Sequence, residues 1–257
     1  MSSNDKTSKI VLVAISLCLV CSVIVSTAAV VLKPAQEANK SLDKKRNILQ
    51  AAGMLNPDVG VEEQFSSVKT RVVDMRTGKF ADDVDPARYD QRKAAKDPGQ
   101  SLKLTPEQDM AKISRREDYA VIYLVEAEGG QLDKIILPVH GYGLWSTLYG
   151  FVALEADGNT VAGLGFYEHA ETPGLGGEVD NPRWKALWPG KQVYKDGDVK
   201  IGLVKGSVDP ASADAEWQID GLSGATLTAR GVTNLVQFWL GEDGFEPFLE
   251  NLKTGEA

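Results

Sequence analysis

The stretch YAVIYLVEAEGGQLDKIILPVHGYGLWSTLYGFVALEADGNTVAGLGFY, residues 119–167, decides the fold. Tyr119–Glu126 and Lys134–Val139 read as strands parted by Gly-Gly, and Leu148–Ala156 and Thr160–Tyr167 as a hairpin across Asp157-Gly158-Asn159. Asp198–Val204 predicts one more short strand. Arg183–Leu187 predicts a short helix carrying Trp184, with Trp188 a turn later. After Thr226 the period changes: Val232, Leu235, Val236, Trp239 and Leu240 make one apolar face of an amphipathic helix. A last helix is expected over Phe245–Leu252. Strands grouped ahead of helices predict an α+β fold, a mixed or antiparallel sheet with flanking helices, rather than repeated βαβ units.

Upstream, Ile10–Leu32 is an uncharged run flanked by Lys9 and Lys33. As a helix it would be about 35 Å long, enough for a hydrocarbon core of about 30 Å. A cleaved signal peptide ending at Ser26-Thr27-Ala28 is the alternative. The run exceeds the usual h-region of about 7–15 residues, which favours a retained anchor. Cys18 and Cys21 share one face of it, where packing or a helix–helix seam is the plain reading and a ligand or lipidation role the alternative. Residues 35–54 predict a juxtamembrane helix. Residues 55–118 are polar, with DPARYD, KDPGQ and LTPEQD as turn signals and one strand near Val68–Met75. The expected division is a short tail at 1–9, a transmembrane helix at 10–32, a juxtamembrane helix and polar connecting region at 33–118, and a soluble domain at 119–257.

The 257 residues are 43% hydrophobic and 25% charged, which excludes wholesale disorder. Net charge is −8, unsuited to a nucleic-acid partner. Two Cys and two His exclude a disulfide scaffold, a zinc finger and a multi-His metal cage built from this chain alone. Lys33, Lys40, Lys44, Lys45 and Arg46 outnumber Lys6 and Lys9, so positive-inside counting puts the body in the cytoplasm, although large domains translocate against that bias.

Three clusters could carry chemistry. Asp220-Gly221-Leu222-Ser223-Gly224-Ala225-Thr226-Leu227-Thr228 opens the long helix. Its small residues, hydroxyls and unpaired helix N–H groups suit a phosphate, and a capped helix start behind a Gly turn explains the same residues. It is neither a hydrolase elbow, which needs Gly where Ala225 stands, nor a P-loop, which needs a Lys. His169–Glu178 (HAETPGLGGE) can line a flat ligand or be a plain Gly-Pro loop. It is not a zinc deaminase, because no CxxC is present. His140-Gly141-Tyr142-Gly143-Leu144-Trp145 sets aromatics beside glycines, either against a planar ring or as ordinary core.

Taken together, GYGLW, HAETPGLG and SGAT resemble the covalent FMN-binding domain family. The resemblance implies FMN joined by a phosphoester bond to the last threonine of S(T)GAT, here Thr226, with Asp220-Gly221-Leu222 read by a flavin transferase. It also implies Ser223, Gly224, Ala225, Leu227 and Thr228 around the phosphate. Tyr142, Leu144, Trp145 and Leu175 would contact the isoalloxazine, with Gly176 in the same turn, Glu171 and Thr172 at its polar edge and Lys205 as a further anion contact. The flavin would carry the chemistry, so no catalytic residue and no metal ligand is assigned.

The layout of the whole chain is similar to the C-subunit family of Na+-translocating NADH:quinone oxidoreductases, and next to the G-subunit family of the related Rnf complex. This implies an electron-carrying member of a six-subunit sodium-pumping complex that passes electrons from NADH to ubiquinone. It would be a single-pass protein of the bacterial inner membrane with lipid around its anchor and a periplasmic body, against the charge count. NADH oxidation would occur elsewhere, since no dinucleotide fingerprint is present. A flavin-free assembly subunit and a periplasmic sensor module are the alternatives from other classes.

Overall fold

The computed structural model describes residues 7–127 and 129–257. The chain divides into a segment ending at Lys44 and a compact body from Lys45 to Ala257. Helix α1 covers Thr7–Ala51. Among the described residues it is the one helix long and apolar enough to cross a membrane. The juxtamembrane helix runs on from the expected span as one helix, with Pro34 inside it. Of the tail expected at 1–9, residues 1–6 lie outside the described residues, and Thr7–Lys9 belong to α1.

The body's elements are α2 (Val61–Phe65), β1 (Val68–Asp74), β2 (Lys79–Phe80), α3 (Gln91–Ala94), β3 (Ser101–Lys103) and β4 (Arg115–Glu117). The central strands follow: β5 (Tyr119–Glu126), β6 (Leu132–Tyr142), β7 (Thr147–Glu155) and β8 (Val161–Glu168). Then come α4 (Pro182–Lys185), β9 (Tyr194–Lys195), β10 (Asp198–Val199), β11 (Gly202–Leu203), β12 (Gln218–Ile219), α5 (Thr226–Leu240) and α6 (Glu246–Thr254).

Six strands form the main sheet in the order β2-β1-β5-β6-β7-β8, with every neighbouring pair antiparallel. The small pairs β3–β4 and β9–β10 are antiparallel, and β11–β12 is parallel. The α+β architecture is therefore present, and the four central strands are found, with β6 running beyond the expected Lys134–Val139 to take in His140, Gly141 and Tyr142.

Both faces of the sheet are covered. On β5, Ala120, Ile122 and Leu124 join the core that includes Val232, Leu235, Val236 and Trp239 of α5, whereas Val121, Tyr123 and Val125 join the core holding Ile48 and Leu49. Two covered faces explain why Tyr119–Glu126 is a near-continuous apolar run.

Two local readings change. Asp198–Val204 is not one strand. The N–H groups of Lys200 and Ile201 both turn to the carbonyl of Val193, so the stretch splits into β10 and β11 with different partners. Region 68–118 also does more than connect. β1 pairs with β5 from Val68↔Val125 to Asp74↔Tyr119, so a boundary at 118/119 runs between hydrogen-bonded strands.

Candidate functional site

Three segments far apart in sequence meet at the N-terminal end of α5. The first is the turn from β6 into β7, where the Gly143 N–H donates to Ser146 O at 2.9 Å. The second is the loop after β8, closed by Leu175 and Gly177 N–H groups donating to Thr172 O. The third is Asp220–Ala225, which leads into α5.

Their meeting point is the carboxylate of Glu171, 5% exposed. Oε1 accepts from the backbone N–H groups of Leu144 (3.1 Å), Trp145 (3.0 Å) and Ser146 (3.3 Å). Oε2 accepts from Thr228 Oγ1 at 2.6 Å. A Cβ on Gly143 would stand 2.7 Å from Glu171 Oε1, and one on Gly176 would stand 2.6 Å from Thr228 Oγ1, so only glycine lets the three segments close this far. Burial alone would raise the Glu171 pKa. The Thr228 hydroxyl and the three N–H groups outweigh it and hold the carboxylate below its ordinary range. The adjoining His169 accepts from Glu171 N–H on Nδ1 and meets Asp180 through Nε2 at 2.8 Å, which places its ring proton on Nε2.

Two expected site residues pair with each other here. The Glu171 carboxylate accepts from four donors. Thr228 is fully buried and gives its hydroxyl to Glu171. Nor is α5 capped by a side chain: the N-cap is Ala225, and no side-chain cap bond is present among the described residues. Gly224 sits at φ +72, a left-handed conformation that glycine takes without strain. Leu175 Cδ2 lies 3.0 Å from where a Gly224 Cβ would be, which joins the second and third segments.

Around this hub Ala225 and Gly176 are buried, and the larger site residues face outward. Ser223, Thr226 and Thr172 are exposed. Tyr142 (40%), Leu144 (36%), Leu175 (44%), Leu227 (53%) and Trp145 (66%) keep large apolar surfaces in solvent. Lys205 is exposed in a turn held beside the third segment by Gly221 N–H donating to Gly206 O at 2.8 Å. Thr226 is the first residue of α5, beside N–H groups that have no intrahelical partner and a positive dipole end.

Sequence reading missed three supports. Ser146 Oγ accepts from Ala170 N–H at 2.7 Å. Trp184 Nε1 donates to Asp220 O at 3.0 Å, and Asp220 Oδ1 accepts from Val208 N–H at 2.8 Å. The Trp184 position was legible as a helix, but its partner lies in another loop.

His140 is not at this surface hub. It stacks on Tyr149 (5.5 Å) and tilts against Trp239 (4.9 Å), and its carbonyl accepts from Trp239 Nε1. Burial, aided by Arg92, lowers its pKa to about 4, so it is a neutral packing group at pH 7.

The FMN-binding domain family matches residues 143–241, which contain the hub and α5. The C subunit of the Na(+)-translocating NADH-quinone reductase of Pseudomonas aeruginosa is 56% identical over 262 residues, covering 100% of both chains. The same subunit of Vibrio anguillarum is 52% identical over 256 residues, covering 99% of this chain and 98% of that one. The crystal structure of Shewanella oneidensis NqrC is similar with a TM-score of 0.77 and 39% identity, covering 84% of this chain and 99% of that chain. The corresponding crystal structure from Parabacteroides distasonis is similar with a TM-score of 0.66 and 27% identity, over 85% of this chain and 96% of that chain.

Proposed function

We propose, from the premise that this chain belongs to the C-subunit family of Na(+)-translocating NADH-quinone reductases, that it carries electrons in such a complex through FMN esterified to Thr226. FMN, when bound, supplies the redox chemistry, and the protein supplies attachment, orientation and electrostatics. The observation that carries this reading is the position of Thr226. It is the exposed first residue of an uncapped fifteen-residue helix, next to three converging segments with outward apolar side chains.

The chain's residues divide the work. The Thr226 oxygen would be the acceptor: a separate flavin transferase activates this weakly nucleophilic hydroxyl to attack the FMN-side phosphorus of FAD, the pyrophosphate bond breaks, AMP leaves and the hydroxyl proton passes to the transferase. The N–H groups of the first turn of α5 would hold the phosphate, with Ser223 and Lys205 adding a hydroxyl and a positive charge. Leu144, Trp145, Leu175, Tyr142 and Thr172 would hold the ring. Residues 119–257 hold this machinery, built onto β1 and its neighbours from residues 45–118. Residues 10–32 anchor the chain in the bacterial inner membrane as a single span, with the body on the periplasmic side beside the other five subunits.

The cheapest test is a visible flavin band that persists through denaturation and precipitation. Thr226→Ala should remove it completely. Because no side chain at position 226 caps α5, its melting temperature should stay within about 2 °C of wild type. A Thr226→Ala protein that keeps the bound colour would refute the attachment point.

A further inference from the structure

We infer that Glu171 is the positioning residue of the flavin site. Its two oxygens lock the loop bearing Leu144 and Trp145 to the first turn of α5, setting the ring-binding surface and the Thr226 hydroxyl in one fixed relation before flavin arrives. This rests on the reading of Thr226 as the acceptor, and adds a group that does not itself touch the cofactor.

The geometry shows a buried brace. Each oxygen serves a different segment: Oε1 takes the N–H groups of Leu144, Trp145 and Ser146, and Oε2 takes the Thr228 hydroxyl. Thr228 lies on α5 two residues beyond Thr226. Those residues share the first turn, yet Thr226 is exposed and Thr228 fully buried. Holding Thr228 inward therefore turns Thr226 outward. The bonded backbone groups include those of Leu144 and Trp145 themselves, so the apolar side chains are aimed by the same carboxylate. An acceptor-only group suits this job, because all four partners donate. Gly143 and Gly176 lie against it so closely that the brace fills its space, which leaves Glu171 no face to offer a ligand. Pre-ordering of this kind lowers the entropy lost when a ring is immobilised.

The test uses the full chain co-produced with its flavin transferase. Covalent flavin is counted by intact mass, and ring order is read by flavin emission and its anisotropy. A ring held against Trp145 is quenched and immobile. Thr228→Val removes the hydroxyl with little change of volume, and Glu171→Ala removes the whole brace. Both should still accept flavin at Thr226, but on a loosened first turn, and give flavin several-fold brighter and less anisotropic than wild type. Glu171→Gln keeps a carbonyl for the three N–H groups and an amide N–H for the Thr228 oxygen, so it should stay quenched. Folded Thr228→Val and Glu171→Ala proteins with wild-type emission and anisotropy would overturn the inference. If Glu171→Ala does not fold, Thr228→Val decides alone. A wild-type chain with no covalent flavin would sink the underlying reading, and the inference with it.

Discussion

Glu171 and Glu117 are both buried carboxylates, 5% and 0% exposed, whose pKa values move in opposite directions. Glu171 has four donors, and its pKa is held down. Glu117, at the end of β4, has Gln91 Nε2 on Oε1, while its Oε2 has no hydrogen-bond partner among the described residues. Burial, only partly offset by hydrogen bonds and by Arg116, raises its pKa to about 7. Tyr89 Oη and Arg116 Nε are likewise buried without hydrogen-bond partners among the described residues. Burial pushes both carboxylates toward the neutral form, so burial does not separate them. The number of directed donors separates them, and the donors are concentrated on Glu171, where three segments are held in register.

Removing Glu171 should produce the largest effect. Glu171→Ala strands the Thr228 hydroxyl and three backbone N–H groups, and should cost about 2–4 kcal/mol at pH 7 in chemical denaturation. A loss below about 0.5 kcal/mol would erase the contrast between the two sites. Glu117→Gln should act in the opposite direction. Its folded pKa is raised, so its penalty is absent below the unfolded value of 4.5, grows as pH rises, and is complete above about 7. The variant should be more stable by roughly 2 kcal/mol at pH 8, with the gain fading by pH 4. Glu171 has the reverse sign. Its folded pKa is lowered, so its contribution is present above the unfolded value and is lost as pH falls through the folded one. Parallel pH profiles for the two variants would show that the assignment of charge is wrong.

The smallest effect should come from the exposed clip between them. Arg92, in α3 beside Gln91, makes a bidentate pair with Glu168 at 2.7 and 2.8 Å and lies 3.8 Å from the Tyr149 ring centroid. Both charged side chains are about half exposed. Arg92→Ala should therefore cost only about 0.5–1 kcal/mol, with a smaller loss at high salt.

The central strands and α5 were legible because alternation of period two and spacing of 3.6 are written in local sequence. Asp198–Val204 misled for the same reason. Val199, Ile201 and Leu203 alternate like a strand, but Ile201 is the buried pivot between two short strands with different partners. The three clusters were legible as a site through their glycines and hydroxyls. The brace was not, because Glu171 takes its partners 27 and 57 residues away and sits in a loop with no period. The two oriented threonines of α5 look alike in sequence, and only packing separates exposed Thr226 from buried Thr228.

The most direct measurement is mass spectrometry of the proteolytic peptide containing Ser223–Thr228, taken from complex assembled in its native membrane. The expected peptide carries the added mass of FMN less water, with fragment ions that place it on Thr226. The bare peptide as the dominant species, or the adduct on Ser223 or Thr228, would contradict the assignment.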